Sequence, residues 1–276
     1  MISHPVDLLN RQYRQPYHRF NVITDDGVTI QGVHLSNDQK PIFSEKKGFS
    51  PATLPGTLFI YCHGFLSGKN HRVVPHFVEA LAERGDAMSF DFRGHGESHG
   101  TCTFADREVL DLKAVVRYAR GLGYERIVTI GSSMGGATVI RYAALFGDVD
   151  GVVTIGAFAD GRSFWWLSSQ QAVQFFFGTS WGAQLCWWTR GTRVGSMSRM
   201  EQPIEVVHRI APRPLLLIQG EWDLLIHPSE AEAIYQNARE PKELVIVPRG
   251  GHDLPLLTES TRDLIVEWVK RNVILL

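Results

Sequence analysis

From Thr57 onward, short runs of valine, isoleucine and leucine alternate with longer segments in which apolar residues recur every three or four positions. The short runs predict buried β-strands at residues 58–62, 87–91, 127–130, 152–155, 215–218 and 244–247. The longer segments predict helices at residues 71–84, 106–120, 137–144, 229–238 and 258–273. Strands that are apolar throughout and alternate with amphipathic helices indicate an α/β fold, with a mostly parallel sheet covered on both faces.

Three stretches depart from this alternation. Residues 20–23 and 28–34, joined through Asp25-Asp26-Gly27, predict a β-hairpin. Residues 36–56 predict a long surface loop. After Asp160 the alternation stops until about Arg213, and phenylalanine and tryptophan crowd between positions 164 and 188. The chain therefore carries an aromatic-rich insertion within its α/β pattern.

Composition narrows the class of protein. A chain of 276 residues suits one large α/β domain, or such a domain with an insertion. Its 44% hydrophobic and 21% charged residues are typical of soluble globular proteins, and its net charge of −1 favours no nucleic-acid partner. We expect neither a signal peptide nor an integral membrane segment. Three cysteines without a C-x-x-C pair predict reduced thiols and a cytoplasmic location.

Residues 127–136 carry the pattern that is most informative about chemistry. A predicted strand runs into a turn that reads G-x-S-x-G at Gly131, Ser133 and Gly135, and a predicted helix follows. A serine on such a sharp turn is strained and exposed, and small residues two positions away let the backbone approach closely. Ser132 has bulky residues at those positions, so Ser133 is the candidate nucleophile. An ordinary strand–helix turn can also contain glycine and serine, so the other parts of a catalytic site are needed.

A nucleophilic serine needs a general base, and the base needs a carboxylate that orients it. His252 follows the last predicted strand through a glycine-rich turn, and it is the candidate base. Asp223, just after the strand at 215–218, is the best candidate for the carboxylate, with Asp160 as the runner-up. Glu221 and Asp253 are weaker candidates, since Asp253 is adjacent to the histidine. The order serine, aspartate, histidine is one of those in which a catalytic triad occurs.

Two further strand ends carry candidate motifs. His63-Gly64-Phe65 follows the first core strand, and the backbone N–H groups of Phe65 and Met134 are candidates for an oxyanion hole. Gly64 alone can also be explained as part of a tight turn. The glycine-rich stretch 94–100 contains His95, Glu97 and His99, but its spacing fits neither a dinucleotide fingerprint nor a zinc site. We interpret it as a structural loop beside the site, and we expect no metal.

Together these motifs resemble the α/β-hydrolase superfamily from about Phe20 to the C-terminus. The matching segments are 63–65, 91–98, 131–136, 220–223 and 251–252. The resemblance implies an α/β-hydrolase fold with a mostly parallel, doubly wound sheet and an inserted helical cap. It divides the chain into a first part of the core at 1–157, a cap at 158–213 and a second part of the core at 214–276. It is closest to serine hydrolases of the esterase, monoacylglycerol lipase-like and serine aminopeptidase-like branches.

The resemblance also implies an activity. We expect hydrolysis of a small-molecule carboxylic ester through an acyl-enzyme on Ser133, without a cofactor. Thioester or amide hydrolysis by the same triad, and a ligand receptor with little turnover, are alternatives. Trp165 and Phe176 of the cap are candidate contacts for an apolar or aromatic acyl group. The cap aromatics have two other interpretations, core packing and a surface that meets a membrane or a partner. The sequence does not indicate an oligomeric state.

Overall fold

The computed structural model of the chain describes residues 10–36, 53–161, 174–196 and 200–275. Trp165 and most of the loop predicted at 36–56 lie outside the described residues.

Over the described residues, the strands form one eight-stranded sheet in the order β1-β2-β4-β3-β5-β6-β7-β8. The strands are β1 (His18–Ile23), β2 (Thr29–Leu35), β3 (Thr57–Cys62), β4 (Asp86–Phe90), β5 (Arg126–Ser132), β6 (Gly151–Ile155), β7 (Leu215–Gly220) and β8 (Lys242–Val247). β1 and β2 form the predicted antiparallel hairpin, and β2 pairs antiparallel with β4. The other neighbours are parallel, which confirms the predicted α/β architecture.

Helices connect the parallel strands. They are α1 (Val74–Ala82), α2 (Glu108–Gly121), α3 (Met134–Leu145), α4 (Ser180–Arg190), α5 (Pro203–Val206), α6 (Pro228–Asn237) and α7 (Glu259–Val269). Short 3-10 turns cover Val207–Arg209 and Leu254–Leu256, and a π-helical turn, Lys270–Ile274, follows α7. The predicted helix at 71–84 is longer than α1, which has Pro75 in its first turn, where a missing N–H is tolerated. The helix predicted at 258–273 changes from α to π geometry after Val269.

The sheet is buried between two helical layers. Along β3, Leu58 and Ile60 pack in the cluster that includes residues of α2 and α3. Phe59 and Tyr61 point the other way, into the cluster with residues of α1 and α7. Since neighbouring side chains of a strand face opposite sides of a sheet, both faces demand apolar residues. Because these strands are parallel, their carboxyl ends lie at one common edge of the sheet, and the loops that carry the candidate site lie there.

The loop after β4 is tied to the rest of the fold by a buried arginine. The Arg93 guanidinium donates to Asp111 on α2 at 2.9 Å and to the Asp26 carboxylate at 2.7 and 2.9 Å. The Arg93 backbone N–H also donates to Asp111, at 2.9 Å. Burial raises the pKa of Asp111 to about 7, against the opposing effect of Arg93. The loop predicted as structural thus fixes α2 and the hairpin turn to the end of β4.

Replacing Arg93 with leucine should destabilise the protein by about 3–5 kcal/mol, because it leaves the buried Asp111 carboxyl without its cation. The pKa of Asp111 should then rise further. A carboxyl group whose pKa is higher in the folded than in the unfolded chain loses its stabilising effect as the pH rises through the folded pKa. Urea unfolding should therefore show a larger deficit against wild type at about pH 8 than at about pH 5.

Arg107→Leu is the matched control for this change. Arg107 also approaches Asp26, at 3.6 Å, but its side chain is 62% exposed. The control should unfold at nearly the wild-type urea concentration at either pH. The role given to the buried pair would be contradicted if both variants lost the same free energy of unfolding. It would also be contradicted if the loss in the Arg93 variant were the same at both pH values.

Candidate active site

Ser133 lies in the sharp turn between β5 and α3. Its backbone has φ 51° and ψ −115°, a conformation that non-glycine residues rarely adopt. A Cβ atom added at Gly131 would overlap the Gly135 carbonyl, and one added at Gly135 would overlap the Cys62 carbonyl. The two glycines of the G-x-S-x-G pattern are therefore required by close backbone approach. This turn holds the Ser133 side chain at the carboxyl edge of the sheet.

The structure brings Ser133, His252 and Asp223 together. His252 Nε2 lies 3.0 Å from Ser133 Oγ, and His252 Nδ1 lies 2.7 Å from Asp223 Oδ2. A carboxylate can only accept, so the imidazole donates its Nδ1–H to Asp223 and presents Nε2 as an acceptor to the serine hydroxyl. The arrangement can remove a proton from Ser133 and stabilise the imidazolium that forms.

Asp223 is buried and fully engaged at the end of β7. Its Oδ1 accepts the backbone N–H groups of Leu225 at 2.9 Å and Ile226 at 2.8 Å. Its Oδ2 accepts from the Gln219 side-chain amide at 3.0 Å, besides His252. These donors hold the carboxylate in one orientation relative to the His252 ring.

Two residues beside the Asp223–His252 pair were not predicted from the sequence. Gln219 lies in β7, just beyond the strand predicted at 215–218, and its polar side chain after an apolar run is the only signal for it in this part of the sequence. Gly156 follows β6 with φ 64°, and a Cβ atom there would lie 3.3 Å from His252 Nδ1 and 3.4 Å from Asp223 Oδ2. Glycine at this position keeps the space next to the pair open.

The other candidate carboxylates have different partners. The Asp160 backbone N–H points to the Glu230 carboxylate, at 3.4 Å. Glu221 accepts the backbone N–H of Arg249 at 2.9 Å. Asp253 is buried, has φ 56° and interacts with Ser132, and burial raises its pKa. The His252 ring thus pairs with the carboxylate that the sequence ranked first.

Both candidate oxyanion donors lie next to the nucleophile. Met134 is the first residue of α3, so its backbone N–H has no partner within the helix. A Cβ atom added at Gly64 would lie 3.3 Å from Ser133 Cβ, so the segment 63–65 passes directly beside the serine. This position brings the backbone of Phe65 close to Ser133.

His63 stabilises the turn that carries Phe65. Its Nε2 accepts the backbone N–H of Phe92 at 3.0 Å, so the proton is on Nδ1, which donates to the Gly64 carbonyl at 2.7 Å. Burial lowers the pKa of His63, which favours this neutral form. The sequence motif suggested an oxyanion turn, but the bracing role of its histidine was not foreseen.

The histidines and glutamate of the stretch 94–100 do not converge on one point. His95 is buried, and burial together with His63 lowers its pKa to about 3. Glu97 instead pairs with Lys69 at 2.5 Å and with Arg19. Within residues 10–36, 53–161, 174–196 and 200–275, no three histidine, cysteine, aspartate or glutamate side chains are grouped as metal ligands. Over the same ranges, no helix is long and apolar enough to cross a membrane.

The described part of the aromatic insertion reaches the candidate oxyanion turn. The Phe65 ring centroid lies 6.1 Å from that of Phe176 and 5.3 Å from that of Phe177, and Phe104 packs on Phe177 at 5.4 Å. Other apolar side chains of the insertion face outward, and Trp181 on α4 is 76% exposed. The insertion therefore combines aromatic packing near Phe65 with an exposed apolar surface.

Comparisons with known proteins agree with the fold. A profile described as the alpha/beta hydrolase fold matches residues 57–170. The uncharacterized protein YfhR of Escherichia coli (strain K12) is 26% identical over 232 residues, covering 82% of this chain and 70% of that protein. The uncharacterized protein YqkD of Bacillus subtilis (strain 168) is 27% identical over 217 residues, covering 75% of this chain and 68% of that protein.

Solved structures are similar over nearly the whole chain. The esterase Pf2001 of Pyrococcus furiosus superposes with a TM-score of 0.70 at 22% identity, covering 98% of this chain and 96% of that chain. The esterase domain of a Rhodothermus marinus protein gives a TM-score of 0.63 at 21% identity, covering 94% of this chain and 100% of that chain. At these identities the likeness shows a shared fold.

Proposed function

We propose that this chain, which has the α/β-hydrolase fold, is a serine hydrolase that cleaves carboxylic esters through an acyl-enzyme on Ser133. The observation that carries the proposal is the hydrogen-bonded chain from Ser133 through His252 to Asp223. Supporting it are two backbone N–H groups beside the serine and esterases among the proteins of similar fold.

The geometry suggests the following course for the reaction. Ser133 Oγ attacks the ester carbonyl while His252 Nε2 takes its proton, and Asp223 stabilises the resulting imidazolium. The N–H groups of Phe65 and Met134 stabilise the negative charge that develops on the carbonyl oxygen. His252 then gives the proton to the departing alcohol, which leaves the acyl group on Ser133. In the second half, His252 Nε2 removes a proton from water as the water oxygen attacks the acyl carbonyl. The bond from the acyl carbon to Ser133 Oγ then breaks, His252 returns the proton to Ser133 Oγ, and the acid is released.

A fluorophosphonate probe tests this proposal directly. Such a probe reacts with a serine whose hydroxyl is activated by a base, so we expect rapid covalent labelling on Ser133. The labelled peptide is identified by mass spectrometry. Since the proposed mechanism uses no metal, labelling and ester turnover should survive EDTA. A protein that binds its ligand without turning it over would label slowly or not at all, and that result would overturn the proposal.

We propose that the preferred substrate is an ester with an apolar or aromatic acyl group. The support is the aromatic surface that Phe65, Phe104, Phe176 and Phe177 form beside the nucleophile turn. Kinetics on matched esters, thioesters and amides of one acyl group measure which bond is cleaved fastest. Faster turnover of the thioester or the amide would replace the ester in the proposal while keeping the same triad.

Replacing Phe176 with alanine should lower kcat/KM for p-nitrophenyl octanoate or benzoate about tenfold relative to the acetate ester, because a buried aromatic contact contributes on the order of 1–3 kcal/mol. Trp181→Ala, on the exposed surface of α4, is the control and should leave this ratio unchanged. If Phe176→Ala lowers the melting temperature but does not change this ratio of kcat/KM values, Phe176 packs in the core. Weaker liposome binding in both variants would indicate a membrane-facing surface, and either result would contradict the acyl-contact assignment.

A further inference from the structure

A recess with a volume of about 380 Å³ lies between the described part of the cap and the core. Its core wall is the segment that follows Phe65 and includes Ser67 and His71, together with the acidic side chains Asp91 and Glu97. Its cap wall includes Trp187 and Arg190 at the end of α4. Because Ser67 is two residues from Phe65, the recess borders the segment that carries the candidate oxyanion donor.

The acidic side chains of this recess are already neutralised. Lys69, which is buried, pairs with Asp91 at 2.6 Å and with Glu97 at 2.5 Å. Glu97 also pairs with Arg19. Arg193, another lining residue, donates to backbone carbonyl oxygens, at 3.1 Å to that of Gly100 and also to that of Ser98. The acidic side chains of the recess therefore pair with Lys69 and Arg19, and not with Arg190.

Arg190 has a neutral partner. Its Nη1 lies 3.3 Å from His71 Nε2, and burial, with Arg190 and Arg72, lowers the pKa of His71 to about 4. The neutral ring accepts from Arg190 and donates its Nδ1–H toward Ser67 Oγ, at 3.3 Å. Among the described residues, no carboxylate lies within 4 Å of the Arg190 guanidinium. The hydrogen bonds from Arg190 to His71 and from His71 to Ser67 therefore hold two donor groups in one recess. These groups are the Arg190 guanidinium and the Ser67 hydroxyl.

We propose that this recess binds a carboxylate group, carried by the substrate at the end remote from the ester. A guanidinium pairs with a carboxylate through two parallel hydrogen bonds, and the Ser67 hydroxyl supplies a further donor. The half-exposed Trp187 ring offers an apolar wall to the chain that links the carboxylate to the ester. The inference rests on the proposed ester hydrolysis and refines the proposed acyl group to an apolar chain that ends in a carboxylate, as in a half-ester of a dicarboxylic acid.

The test compares the p-nitrophenyl half-ester of glutaric acid with p-nitrophenyl pentanoate, which has the same chain length without the charge. In the wild type, the half-ester should have the higher kcat/KM. Arg190→Gln should lower the ratio of the two kcat/KM values about 10–100-fold through KM, because a charge-assisted hydrogen-bond pair is lost. Turnover of the neutral ester should change little. Arg209→Gln is the matched control, since Arg209 is an exposed arginine paired with Glu201 and does not line the recess.

Calorimetry with free glutarate separates the source of the carboxylate from the existence of the site. Glutarate binding that Arg190→Gln abolishes, without a preference for the half-ester, would show that a free carboxylate is the ligand, and would overturn the substrate assignment. An unchanged ratio in the variant, with no glutarate binding to the wild type at millimolar concentration, would overturn the site itself. Because calorimetry needs no turnover, failure of the proposed hydrolysis is recognised separately, as loss of activity on every ester while glutarate still binds.

Discussion

Replacing Ser133 with alanine should lower kcat for p-nitrophenyl ester hydrolysis by about 10⁴–10⁶-fold and leave the melting temperature close to that of the wild type. The Ser133 hydroxyl has no structural role in the turn, because its hydrogen bond is to His252. The strained backbone at φ 51° is set by the flanking glycines, and alanine meets the same strain as serine there. Only the nucleophilic oxygen is lost, and members of a triad act as a unit.

Ser132→Ala is the matched control, because Ser132 is the adjacent serine and has a different environment. It lies buried behind the turn and accepts a hydrogen bond from Tyr61 at 3.0 Å. Its loss should lower stability modestly and keep turnover within about tenfold of wild type. If the Ser133 variant, shown to be folded by circular dichroism, retains wild-type turnover, the nucleophile has been assigned wrongly.

Asp223→Asn should reduce kcat by about 10⁴-fold, as the corresponding change does in a well-studied triad. The hydrogen bonds around Asp223 give the reason. Two backbone N–H groups point at Oδ1, so the asparagine carbonyl oxygen will occupy that position and the NH₂ group will face His252. The imidazole must then accept at Nδ1 and carry its proton on Nε2. In that tautomer, His252 can no longer accept the proton of Ser133.

Asp160→Asn and Glu221→Gln are the controls for the acid. Neither carboxylate is the partner of His252, so both variants should keep kcat within about threefold of wild type, below the effect of a single charge-assisted hydrogen bond. Steady-state kinetics on one ester, with melting temperatures for all three variants, make the comparison. A severe loss for Asp160→Asn beside a mild one for Asp223→Asn would transfer the orienting role to Asp160.

The sequence predicted the sheet well for a physical reason. A parallel strand buried on both faces is apolar at most positions, and such runs are easily distinguished from amphipathic helices. Ser133 was also readable, because its turn requires glycines at two fixed positions. Its assigned role stays a prediction, as do those of His252 and Asp223, until the variants are measured.

Other features could not be predicted, because they depend on residues that are distant along the chain. Arg190 meets His71 across 119 positions, and no periodicity links a cap helix to a loop after β3. Gln219 supports Asp223 from the end of β7, and the sequence does not show which polar group its side chain will contact. For the aromatic insertion the sequence left three interpretations open, because it does not show which surface each ring faces, and Trp165 lies outside the described residues.

β8 lies at the edge of the sheet, where β7 is its one partner strand among the described residues, and it leads directly into the loop that carries His252. Ser133, by contrast, follows β5, which has a hydrogen-bonded strand on either side. Edge elements open locally at a lower free energy than central ones. The proposed nucleophile and its proton acceptor therefore belong to parts of the fold with different local stability. Heat or denaturant would separate the base from the serine while the central strands stay intact, so the first event of inactivation would be a reversible uncoupling rather than collapse of the fold.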